Sequence, residues 1–121
     1  PWEGKSKNYI SENFPEEWDI WLKEPEKLNV PGIETIDNVQ QRARNVLDNI
    51  VASYRGKIVV IVSHRAVLKP LIASCLDINR PYFWRIHIDT AAYSILNYDE
   101  KRGFTLIQLN QNKHLEKYDR I

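Results

Sequence analysis

Residues 57–63 read Lys-Ile-Val-Val-Ile-Val-Ser, with five β-branched apolar residues in succession and no polar alternation. Branching at Cβ restricts χ1 and suits a pleated strand better than a helix. A strand with one wet face alternates apolar and polar positions. An unbroken run instead argues for burial on both faces, as in a parallel sheet covered by helices. Such a strand needs neighbours on its edges, and this constrains the rest of the chain most.

The flanking patterns supply the covering layers. Upstream, Val39, Ala43, Val46, Leu47, Ile50, Val51 and Tyr54 recur at three and four residues, with Gln40, Gln41, Arg42, Arg44, Asn45, Asp48 and Asn49 between them. This is a one-sided amphipathic helix, with Thr35 as N-cap and Gly56 as its stop. Downstream, a second apolar helix begins near Ala66 and carries Pro70 early, where the backbone cost is smaller if it falls in the first turn. Two short helices, 6–13 and 16–23, are separated by Pro15, and Trp18, Trp21 and Leu22 lie on one buried face. Pro25 to Pro31 reads as a loop. Asn79-Arg80-Pro81 reads as a turn, and Ile86–Tyr98 and Phe104–Leu109 as two strands joined by the loop 99–103. Helix, buried strand, helix and hairpin predict one α/β domain over 1–121, a sandwich with a mixed sheet. The hairpin supplies one or two neighbours for the buried strand, and a strand absent from this sequence would supply another.

The composition narrows the function classes. Among 121 residues, 17 basic and 16 acidic side chains leave a net charge of +1, too small a field to argue for nucleic acid or a membrane surface as partner. No stretch approaches the ~18 apolar residues of a membrane span. Cys75 is the only cysteine, in an apolar helical pattern, and is expected to be a buried small hydrophobe. With no secretory segment, the expected compartment is the reducing cytoplasm. The chain opens at Pro1 and contains no Met, so a cut or truncated reading frame is expected.

His64 is the strongest candidate for chemistry. It follows the β-branched run where a helix starts, and ligands of open α/β sheets bind at the carboxyl ends of strands. The helix N-terminus beside it is suited to an anion. From position alone, a phosphate-binding imidazole and a capping or core imidazole are equally supported. His87, between Ile86 and Ile88, is expected to face solvent from a strand, and His114 to lie on the surface. The three histidines show no metal-ligand spacing. Trp18, Trp21, Phe83 and Trp84 are expected in the core. Ser63 lacks the Gly-x-Ser-x-Gly setting of a serine nucleophile, and with 4 glycines the chain has neither a P-loop nor a dinucleotide fingerprint.

Four segments, taken in order, resemble the histidine phosphatase (phosphoglycerate mutase-like) superfamily. Trp2-Glu3-Gly4 is similar to a Trp-Glu-Gly segment after the family's acid-bearing loop. Pro31-Gly32-Ile33-Glu34-Thr35 resembles its Pro-Gly-Gly-Glu-Ser/Thr segment, with Arg42 where its next helix has an arginine. Ile61-Val62-Ser63-His64 resembles the strand bearing the second active-site histidine. Phe83 through Leu96, then Leu109-Asn110 and His114-Leu115, resemble the closing hairpin and tail.

The resemblance implies a three-layer sandwich with a mixed, mostly parallel sheet, incomplete in this chain. It implies a phosphomonoester hydrolase that works through a phosphohistidine, with phosphoglycerate mutase or an inactive phosphate-binding remnant as alternatives. His64 maps onto the histidine that stabilises the phosphoryl oxygens, and Arg65, in place of the common glycine, onto a substrate-binding position. Lys69 stands where many members have arginine. The family uses no metal, so neither metal nor cofactor is expected, and the implied substrate is a small phosphorylated metabolite. The nucleophile's Arg-His-Gly motif does not occur in these 121 residues, and the catalytic acid would precede Pro1. Glu3 and Glu34 are not equivalents of that acid. An N-terminal fragment or a second copy of the chain is the expected partner.

Overall fold

Ser6 opens the first helix by accepting a hydrogen bond from the Tyr9 N–H at 3.1 Å, and α1 spans Lys7–Asn13. The structure, a computed structural model, describes residues 5–115. Pro15 begins α2 (Pro15–Lys23) at its first turn, where a missing N–H costs nothing. The expected buried face of α2 is only partly realised. Trp18 and Trp21 are half-buried, whereas Leu22 is exposed. A single 3-10 turn, Pro25–Lys27, follows.

The long amphipathic pattern forms α3 (Ile36–Ser53). Thr35 Oγ1 accepts from the Asn38 N–H at 3.2 Å, and Gly56 adopts φ +71° just beyond the helix end. Thr35→Ala is expected to cost about 1 kcal/mol of stability in urea denaturation, and Thr35→Ser to recover it, because the cap needs only an oxygen at that position. No difference between Ala and Ser would remove the cap from the account.

Helix α4 spans Arg65–Cys75 and packs against α3. Two polar anchors set its register. Gln40 Nε2 donates to the Pro70 carbonyl at 2.9 Å, and Arg44 Nη1 donates to both the carbonyl and the hydroxyl of Ser74 at 2.9 Å. Pro70 lies in the second turn rather than the first, so the ladder loses one N–H donor inside the helix. Its ring is fully buried, which offsets part of that cost.

Residues 57–63 depart from expectation. They join no ladder, and Ile58, Val60 and Val62 are 98%, 82% and 91% exposed. The physical reason is the lack of a neighbour. Among the described residues one sheet forms, an antiparallel pair of β1 (Tyr93–Asp99) and β2 (Gly103–Gln111), and it pairs only with itself.

The predicted strand over 86–98 is also shortened at its start. Phe83–Arg85 forms a 3-10 turn closed on the Tyr82 carbonyl, and Ala91 takes φ +61° before β1 begins at Tyr93. Ile86 and Ile88 are nonetheless buried with His87 exposed between them, which is why the segment reads as a strand. The tight connection 99–103 is present as expected, with the Asp99 carboxylate accepting from the Lys101 N–H at 2.7 Å and Gly103 at φ +77°.

The core joins α3, α4 and the segment 82–88. Ile36, Ile72, Ala73, Tyr82, Phe83, Ile86 and Ile88 are buried together, with Trp21, Leu68, Leu76 and Leu96 against them. Cys75 is buried as expected, and burial pushes its thiol up to about 11, so it is not a nucleophile at neutral pH. Among the described residues no helix is long and apolar enough to cross a membrane.

Candidate functional site

His64 is the N-cap of α4. Its backbone is extended (φ −95°, ψ 156°), and its carbonyl accepts from the Val67 and Leu68 N–H groups at 3.0 and 2.9 Å. The imidazole makes no capping bond to the helix and is exposed. The positive end of the α4 dipole therefore opens beside a ring that is not occupied in capping it. The first turn of α4 contains no acidic residue, and its first residue is Arg65, also exposed. The uncapped helix dipole beside the exposed imidazole is the feature of this end that suits an anion.

One turn further on, Lys69 is buried and its ammonium lies 4.6 Å from the Phe83 ring centroid and 4.8 Å from that of Trp84. Burial first, and then the charge of Arg65, push it below the usual lysine range. The sequence placed Lys69 in the helix but gave no sign of its burial, since it interrupts an apolar pattern that a long side chain would ordinarily leave for solvent.

The other two histidines are held elsewhere. His87 is exposed and its Nε2 lies 2.7 Å from Asp89 Oδ1. His114 Nε2 lies 2.9 Å from the Ala91 carbonyl, and its ring stacks on Tyr93. Both tether the segment 87–91 rather than meeting His64. Asp89 is the centre of this tether. Its covered carboxylate accepts from Asn112 Nδ2 at 2.7 Å and Asn110 Nδ2 at 3.1 Å, while its own N–H donates to Asn110 Oδ1 at 2.7 Å. Asn110 sits at φ +57° beside the irregular end of the hairpin register. Sequence reading missed this cluster, although Asn110 and Asn112 at alternate positions were its only signal.

The hydrogen bond from Asn112 is the largest of the effects that hold the Asp89 carboxyl below the usual carboxylate range, followed on the favourable side by those from His87 and Asn110; desolvation opposes them. A lowered folded pKa means that the stabilisation is full above the unfolded value, about pH 4, and is lost as pH falls through the folded one. Urea midpoints from pH 6 down to pH 3 should therefore fall more steeply for the native chain than for Asp89→Asn. Parallel curves would show that the cluster does not carry the acid sensitivity.

Glu34 and Arg42 are brought together. Arg42 Nε and Nη2 donate to the two Glu34 oxygens at 3.1 and 2.9 Å, and the first of the effects lowering the Glu34 carboxyl is this hydrogen bonding. The exposed pair spans the entry to α3. Among the described residues, no group of three or more His, Cys, Asp or Glu side chains is placed to hold a metal ion. Trp2-Glu3-Gly4 lies outside the described residues.

The sequence model of the histidine phosphatase superfamily (branch 1) matches residues 1–112. The chain belongs to that superfamily. Its relatives within the histidine phosphatases include phosphoserine phosphatase 1 of Hydrogenobacter thermophilus, 27% identical over 117 residues that cover 97% of this chain and 55% of the relative. The 2-carboxy-D-arabinitol-1-phosphatase of Triticum aestivum is 25% identical over 101 residues, covering 84% of this chain and 20% of that protein. Among solved structures, YhfR of Bacillus stearothermophilus is 28% identical with a TM-score of 0.89, over 95% of this chain and 57% of that one. A mutant phosphoserine phosphatase of Entamoeba histolytica in complex with phosphoserine, 18% identical, shares the fold with a TM-score of 0.76 over 94% and 57% of the two chains. The chain thus spans a little over half the length of phosphoserine phosphatase 1 and of both solved structures.

Proposed function

We propose that this chain is the His64-bearing part of a phosphomonoesterase that acts on a small phosphorylated metabolite through a phosphohistidine. The observation that carries this reading is the exposed imidazole of His64 at the uncapped start of α4, with Arg65 beside it and no acid in the first turn. In the reaction, a histidine outside these 121 residues attacks phosphorus. The P–O ester bond breaks, and an acid, also outside them, protonates the leaving oxygen. Water then attacks the phosphohistidine, releasing inorganic phosphate and returning the free imidazole. His64 and Arg65 contribute charge to the phosphoryl oxygens, which carry the negative charge of the transition state. The names of the relatives favour a phosphatase over a mutase and make phosphoserine a reasonable first substrate to assay.

The same reading completes the fold. The exposed run 57–63 becomes a central strand of a three-layer, mostly parallel sheet once strands from outside the chain pair with its edges. Until then it offers unpaired backbone groups and apolar side chains to any partner. The chain by itself is therefore expected to associate, in multi-angle light scattering, with an N-terminal piece or with its own copies, and Val60→Lys to reduce self-association. A well-behaved monomer at high concentration would contradict this.

Turnover of para-nitrophenyl phosphate tests the function. Activity is expected in a version extended at its N-terminus to the length of the relatives, and not in the 121-residue chain. Activity of the short chain would contradict the assignment of the nucleophile to another segment. Phosphate binding without turnover in either version would favour the second reading, a non-catalytic phosphate-binding remnant, to which the absence of an Arg-His-Gly motif in this sequence lends support.

A further inference from the structure

We draw no further inference here: the strongest candidate, the open concavity at the end of the hairpin lined by Tyr93, Gln111, Lys113 and His114, has no buried side chain among these walls, and nothing in the structure shows what covers it.

Discussion

Replacing His64 with alanine is expected to lower para-nitrophenyl phosphate turnover by the N-terminally extended protein at least ~100-fold, a loss of about 2.7 kcal/mol of transition-state stabilisation. The expectation follows from where charge develops. In phosphoryl transfer the protein does little covalent work beyond supplying the nucleophile, and most of the rate comes from groups held against the equatorial oxygens. The proposed role of His64 rests on the helix it starts, whose first turn is closed by the His64 backbone carbonyl while the ring makes no capping bond. The loss should fall mainly on kcat, since the interaction strengthens as the phosphoryl group loosens from its ester oxygen. His64→Gln, which keeps one N–H donor, should recover part of the rate. An unchanged rate in His64→Ala would remove this residue from the mechanism.

The second large effect lies in the core. Phe83→Ala is expected to destabilise the chain by roughly 3–5 kcal/mol, the range for emptying a buried aromatic site. Phe83 is 4% exposed and its ring sits between Trp21, at 5.3 Å between centroids, and Trp84, at 5.0 Å. Its removal opens a cavity and loses two aromatic contacts together. Two hydrogen bonds to one carboxylate also hold the position. Glu26 Oε2 accepts from the Tyr82 and Phe83 N–H groups at 2.6 and 3.3 Å, fixing the backbone so that the site cannot collapse to fill the gap. Equilibrium urea denaturation measures the cost. A change below about 1 kcal/mol would show that the aromatic cluster relaxes around the deletion.

The elements legible in the sequence are those whose determinants are local. Thr35 caps α3 through the N–H three residues on, and the three-and-four spacing of Val39, Ala43, Leu47 and Ile50 is the spacing of its packed face. The hairpin loop carries its own signals in Asp99 and Gly103. The elements that escaped depend on distant groups. A run such as 57–63 encodes a strand's shape and not the partner that would pair with it. The turn at 89–92 is set by Asn110 and Asn112, some twenty residues on, and by the left-handed backbone of Ala91. Leu22 matched the period of a buried face, but little packs on that side of α2 and it is exposed. At the candidate site, His64 stood out because it follows a recognisable run, and Arg65 only through the family resemblance. The burial of Lys69 and the Glu34–Arg42 fork appear only when α3, α4 and the segment 82–84 are set in space.

The most direct test of His64 is to follow all three imidazoles by NMR while the chain is titrated with inorganic phosphate. The ring of His64 and the backbone amides of Arg65 and Ala66 are predicted to shift together and to saturate, with His87 and His114 unmoved. Saturating shifts at His87 or His114 with a silent His64, or no saturable shift at any of the three, would contradict an anion site at the start of α4.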